Sequence, residues 1–256
     1  MTSEASPRSA DKDDPVVVEE VSVGWSPEQV LLEHVSFKVH AAEIFSILGA
    51  SGCGKSTLLR TVIGLMPPLD GSIRLHGLPV ELDRAGPPIF GVTFQGGALF
   101  GSMTVVENVA LPMREWARVP PDAADAMARA KLRLVGLEGA ADKPPSELSG
   151  GMKKRAAIAR ALALEPSLLF LDEPSAGLDP ITSAGLDELI LTLKEVLGVT
   201  IVVVTHELRS VFATSDRCIL LDKDAKGIVA EGTPRELDES EDPRVQAFFH
   251  RIGRAA

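Results

Sequence analysis

The run Gly49-Ala-Ser-Gly-Cys-Gly54-Lys55-Ser56 constrains this chain more than any other feature. It fits G-x-x-x-x-G-K-[ST] and stands between an apolar stretch, Glu43-Ile-Phe-Ser-Ile-Leu48, and the helix-competent Ser56-Thr-Leu-Leu-Arg60. Strand, glycine-rich loop and helix in that order place bare backbone amides at a helix N-terminus, where they turn inward around phosphate oxygens. Gly49, Ser51, Gly52, Cys53, Gly54, Lys55, Ser56 and Thr57 are therefore candidate phosphate-binding positions. Lys55 is expected to reach β- and γ-phosphates, and the Ser56 hydroxyl to ligate Mg²⁺.

Other segments agree with an α/β chain. Ser-Leu-Leu-Phe-Leu-Asp-Glu-Pro (167–174) and Thr-Ile-Val-Val-Val-Thr-His (200–206) are continuously apolar before their polar ends, as central strands of a parallel sheet covered on both faces are. Residues 16–25 and 30–40 alternate apolar and polar side chains and predict antiparallel strands. The expected fold is a mostly parallel central sheet with an antiparallel β edge. Asp179-Pro180 reads as an N-cap and first helical residue, with Gly198 as the stop. Between Phe100 and Gly150 the strand runs cease. Thr104-Val-Val-Glu107 predicts a capping box, Pro112 a kink, and Pro121 to Val135 a second helix. Residues of about 96–160 thus read as a helical subdomain inserted into a core of 16–240. The polar residues 1–15 predict a disordered tail. Residues 241–256 predict a C-terminal amphipathic helix with Val245, Phe248, Phe249 and Ile252 at helical spacing.

Composition removes several classes. Lysine plus arginine is 26 against 36 aspartate plus glutamate, a net charge of −10, which disfavours a nucleic-acid partner. The longest charge-free stretch worth checking, Ala85 to Val106, carries five glycines, two prolines and a glutamine and does not suit a lipid-exposed helix. The N-terminus has no apolar segment of secretory type. Cys53 and Cys218 form neither a disulfide framework nor a metal spacing, which fits a reducing cytoplasm.

The apolar run Leu168-Leu-Phe-Leu171 ends in Asp172-Glu173. With a phosphate loop upstream, Asp172 is expected to hold Mg²⁺ through water and Glu173 to take a proton from the attacking water. Neighbouring strand residues point to opposite sides, but at a strand end both reach one crevice.

Leu148-Ser149-Gly150-Gly151-Met152 lies between these two sites. Together with Gln95 in Val-Thr-Phe-Gln, Ser175-Ala-Gly-Leu178-Asp179, His206 after its strand and Trp25 upstream, it makes the chain resemble the ATP-binding-cassette ATPases from about Val16 to Gly232. The resemblance implies that Trp25 stacks on adenine, that Gln95 contacts Mg²⁺ and the attacking water, and that His206 senses the γ-phosphate. It also implies that Ser149, Gly150, Gly151 and Asp179 serve ATP held by a second copy, in a head-to-tail homodimer. Lys153, Lys154 and Arg155 read as a solvated helix face.

Residues 94–100 and 104–115 look like ATPases of MCE-type phospholipid transport systems, the Mla system among them. Ser175-Ala-Gly-Leu178-Asp-Pro departs from the Phe-Val-Gly-Gln-Asp-Pro often found there. That resemblance implies an integral membrane permease as partner, an MCE-domain lipid-binding protein beside it, and a place on the cytoplasmic face of the inner membrane. It further implies that the surface formed by residues 96–118 docks a permease helix. An ATPase of an amino-acid or small-solute importer, or a soluble regulatory ATPase, are the alternatives.

Overall fold

The computed structural model describes residues 14–82 and 86–252. In chain order the elements are β1 (Val16–Gly24), β2 (Val30–Val39), β3 (Ile44–Gly49), α1 (Lys55–Val62), β4 (Asp70–Leu75), β5 (Leu78–Pro79), β6 (Gly91–Thr93), α2 (Val105–Glu115), α3 (Pro121–Leu134) and α4 (Gly150–Ala161). There follow β7 (Leu168–Asp172), α5 (Pro180–Leu197), β8 (Thr200–Val204), α6 (Leu208–Thr214), β9 (Arg217–Asp222), β10 (Gly227–Gly232), α7 (Pro234–Asp238) and α8 (Pro243–Ile252). The expected tail falls mostly on residues 1–13, outside the described residues. Asp14 and Pro15 are ordered instead: the Asp14 carboxylate lies 2.8 Å from His40 Nδ1, and the Pro15 carbonyl accepts the His76 amide.

The strand order β10-β9-β3-β8-β7-β6 builds a six-stranded sheet that is parallel except for β10. Strand periodicity divides its side chains between two faces. Phe45, Ile47, Phe170, Val202 and Val204 meet α1 and the inner face of a second, four-stranded antiparallel sheet, β2-β1-β4-β5. Ile44, Leu169, Leu171, Ile201 and Val203 pack instead against α5 and the helices α2 to α4. The antiparallel part is thus larger than an edge. It is a separate sheet, with β10 as an antiparallel rim on the main one.

Local signals act where the sequence placed them. Thr104 and Glu107 form a reciprocal capping box, Asp179 caps α5, and Gly198 ends it in the left-handed conformation. Helix α2 runs on through Pro112 to Glu115, so the missing proline amide falls near the helix end. Fully buried Asn108 accepts the Phe100 amide and donates to the carbonyls of Phe100, Met103 and Thr104, fixing the loop before α2.

Helix α8 lays Val245, Phe248 and Phe249 on Leu48, Val211, Leu220 and Leu237. The Phe249 ring meets those of Phe212 and Phe248 edge-on, at 6.0 and 5.7 Å. The C-terminal helix is therefore part of this chain's own core. Phe249→Ala is expected to lower unfolding free energy by about 3–5 kcal/mol, and exposed Arg244→Ala by about 0.5 kcal/mol or less, in denaturant titrations.

Candidate nucleotide site

Parallel strands share a direction, so β3, β8, β7 and β6 all end at the same edge of the sheet. Each of the four delivers one component there: the loop from Gly49, His206 after β8, Asp172-Glu173 from β7, and Gln95 after β6. A cavity of about 510 Å³ opens at this edge. Trp25, Ser51, Gly52, Gly54, Lys55, Ser56, Thr57, Gln95, Glu173 and His206 line it. The loop residues are held as the phosphate-cradle pattern requires. Gly54 caps α1 at φ 103°, and a side chain there would press on Leu32, so only glycine suits the position. Lys55 Nζ lies inside the loop and donates to the carbonyls of Gly49 and Ala50, at 2.7 and 3.1 Å. The Cys53 side chain turns away into the core, where burial pushes its thiol up. Cys53 therefore offers the site only its backbone. Trp25 is 60% exposed at the rim of the cavity, so it is not a core residue.

The two carboxylates reach one crevice because the strand stops between them. Asp172 ends β7, and Glu173 turns into the left-handed region at φ 47°. That conformation costs a residue of this type roughly 1–3 kcal/mol and persists only where its surroundings hold it. The Glu173 amide donates to the Val204 carbonyl at 2.8 Å, and its Oε1 stands 2.9 Å from His206 Nδ1. Its Oε2 is buried with no hydrogen-bond partner. Asp172 Oδ1 accepts a long bond, 3.4 Å, from the Ser56 hydroxyl. Burial, and then the adjacent Glu173 charge, push the Asp172 carboxyl up, against the Ser56 hydrogen bond and the charges of Arg60 and Lys55.

These residues fit magnesium and a nucleotide. A serine hydroxyl next to a carboxylate is a hard-oxygen pair of the kind Mg²⁺ takes while keeping its other positions for water and phosphate. Among the described residues no cluster of three His, Cys, Asp or Glu forms a closed metal cage, which such a shared site does not need. Burial raises Asp172 most, and the adjacent Glu173 charge that adds to it is what a divalent cation would offset.

Ser149, Gly150, Gly151 and Asp179 do not line this cavity. Exposed Ser149 caps α4 by accepting the Met152 amide. Asp179 accepts the amides of Ile181 and Thr182 and the Thr182 hydroxyl, the last of which does most to hold its carboxyl low. The two segments meet: a side chain on Gly151 would lie 2.3 Å from Thr182 Cγ2.

The expected solvated face of α4 is corrected by its contacts. Lys154 Nζ donates to the carbonyls of Gln95 and Glu173, at 2.6 and 2.9 Å. Arg155 donates to the carbonyls of Val135 and Gly185, and Arg160 to those of Gly97 and Ala98. Helical spacing carries no sign of this, because the acceptors are main-chain carbonyls of distant segments. Leu99 packs on the helical core, which leaves Phe100 and Trp116, each half exposed, as the large apolar surface of residues 96–118.

Known proteins resemble the chain throughout. The family described as ABC transporter matches residues 32–176, more than half of it. The intermembrane phospholipid transport system ATP-binding protein MlaF of Escherichia coli K12 is 43% identical over 228 residues, 87% of this chain and 84% of MlaF. The probable ribonucleotide transport ATP-binding protein Mkl of Mycobacterium leprae is 40% identical over 86% of this chain and 65% of its own length. Among solved structures, CbiO1 of Clostridium perfringens, part of the ABC transporter complex CbiONQ, superposes with a TM-score of 0.81 at 30% identity, covering 95% of this chain and 98% of that one. A dimeric ATP-binding cassette in a post-hydrolysis state with ADP and Pi gives 0.76 at 31% identity, over 86% and 99%.

The Gly151–Thr182 approach is open to a double-mutant test. Gly151→Ala is expected to destabilise by about 1–3 kcal/mol through overpacking. Thr182→Ser removes the offending methyl and keeps the hydroxyl that Asp179 accepts, so the double variant is expected to recover most of that loss in thermal or denaturant unfolding.

Proposed function

This chain belongs to the ABC transporter family and is an ATPase that works with ATP and Mg²⁺, and on that footing we propose that it drives phospholipid movement through a separate membrane permease. One observation carries the catalytic part: phosphate loop, Glu173, Gln95 and His206 converge on one cavity at the carboxyl edge of a parallel sheet, with Asp172 against its Ser56. Lys55 and the loop amides bind the phosphates, and Trp25 covers the adenine at the rim. Ser56 and Asp172, with Gln95, would hold Mg²⁺, which would supply positive charge to the phosphate groups. Glu173 Oε2, buried and unpaired, accepts the proton of the attacking water, while His206 holds Oε1 and orients the carboxylate.

Ser149 and the free amides of Gly150 and Gly151 form an anion site at the start of α4 that the cavity of this chain does not use. We assign it to the γ-phosphate of ATP held by a second copy, with Asp179 beside it, in a two-fold homodimer. No helix among the described residues is long and apolar enough to cross a membrane. We place the chain on the cytoplasmic face of the inner membrane, attached through the permease, on its likeness to MlaF. A groove of about 220 Å³ between the end of α1, the β4–β5 hairpin, residues 87–90 and Trp116 suits a short amphipathic permease helix. Leu65, Leu78, Leu82 and Trp116 are exposed along it. Lipid cargo, with an MCE-domain protein beside the permease, follows the fuller coverage of the MlaF relatives and the higher identity of the Escherichia coli one. The Mkl relatives name ribonucleotide transport instead.

Glu173→Gln removes the base and keeps the side chain's size. It is expected to retain ATP binding and to lower turnover by about 10²–10⁴-fold, read by single-turnover hydrolysis; near-normal turnover removes Glu173 from the mechanism. Leu82→Glu and Trp116→Glu are expected to leave nucleotide binding intact and to abolish co-purification with the permease. Co-reconstituted with the permease, the unaltered chain is expected to transfer labelled phospholipid, and not ribonucleotide, on adding MgATP.

A further inference from the structure

Helix α4 has two ends with different neighbours. At its start, Ser149 faces out of the molecule. Five residues on, about 7.5 Å along the axis, Lys154 reaches into its own chain's cavity wall. Its ammonium bridges two main-chain carbonyls that belong to the chemistry: that of Gln95, at 2.6 Å, and that of Glu173, at 2.9 Å. Further along, Arg160 takes the carbonyls of Gly97 and Ala98. The segment Gln95–Ala98 is therefore latched to α4 at three carbonyls, and Glu173 at one.

Glu173 depends on such fastening. It sits at φ 47°, outside the range a glutamate prefers. Its amide is tied to Val204 of β8 and its carboxylate to His206 beyond the same strand. Both of those tethers come from the sheet, whereas the carbonyl tether comes from α4. A shift of α4 thus alters the peptide of Glu173 through Lys154, and with it the direction of the carboxylate. Burial lowers the pKa of Lys154, and the Asp172 and Glu173 charges oppose that.

We propose that Lys154 is a positioning residue that transmits the placement of α4, set by the nucleotide its N-terminus engages on a second copy, to Gln95 and Glu173 in its own site, so that each copy hydrolyses ATP only when the other has bound it. The inference rests on the assignment of Ser149 to the partner's ATP. Lys154 touches no reacting atom; it acts through the two backbones it holds.

The test uses the full chain and follows ATP hydrolysis against ATP concentration, with equilibrium binding of a fluorescent ATP analogue measured in parallel. The unaltered protein is expected to respond cooperatively. Lys154→Met, which keeps the stem and loses the donors, is expected to bind nucleotide within about three-fold of the unaltered chain, to lose about 10–10² in kcat, and to lose cooperativity. Lys154→Arg, which keeps donors at that reach, is expected to restore both. Lys154→Gln, with a shorter donor, is expected to fall between them and serves if the methionine variant does not fold. A Lys154→Met protein that is folded and keeps kcat and cooperativity, or that loses only nucleotide affinity, overturns the role of Lys154. Ser149→Arg separates the two claims. If it leaves rate and cooperativity unchanged, the two-copy site falls and this inference falls with it. If it abolishes both while Lys154→Met does not, only the relay is wrong.

Discussion

Everything in this structure that bears on chemistry depends on the parallel pairing of β3, β8 and β7. Parallel strands cannot be joined by tight turns; each needs a crossover, and each crossover leaves from the same edge. That edge collects residues lying more than a hundred positions apart in the chain, such as Lys55 and Glu173. The register fixes the depth. Ile47 pairs with Val204, and Val204 with Asp172, so the loop, the carboxylates and the histidine leave the sheet at one level. A slip of one residue in β7 would turn its core side chains to the wrong face and carry Asp172 away from Ser56.

Around that edge the protein places charge in unfavourable settings and satisfies it with backbone. Lys55 is buried against two loop carbonyls, Lys154 bridges two more, and Arg160 another two. Cations partnered by carbonyls keep their positive charge for another partner, whereas a carboxylate would neutralise it. The cavity therefore has a positive floor at the loop and a negative wall at Asp172 and Glu173, a division that suits an anionic substrate carried with a divalent cation. The strained Glu173 lies on the boundary between the two, fastened by β8, His206 and α4.

The helical part has a different physical character. Helices α2, α3 and α4 bury alanines, valines and leucines among themselves and against α5, and they meet the catalytic edge mainly through the polar latches of α4. Apolar packing joins the block to one face of the sheet, and hydrogen bonds to loop carbonyls add polar contacts at its edge. Asn108 does the same inside the block, where a single side chain organises Phe100 to Thr104.

Much of this was legible in the residues. The loop, the acidic strand end, the apolar core strands, the caps at Thr104, Asp179 and Gly198, and the amphipathic C-terminal helix all follow from rules that act within a few residues. Local geometry writes such features directly into spacing. The short strands β5 and β6 escaped, because two or three residues show no period; β4, β9 and β10 escaped as well, and the antiparallel strands form a sheet of their own, because sheet membership depends on partners far away in the chain. Lys154, Arg155 and Arg160 look in the sequence like any charged helix face; only packing brings main-chain carbonyls to them, and a carbonyl leaves no mark on its residue type. The sequence by itself determined the kind of chemistry and which side chains are the candidates to carry it. Tertiary structure alone decided that Glu173 turns left-handed, that α4 grips the catalytic edge, and that Ser149 points away from its own site, since each of these depends on where separate elements come to rest against one another.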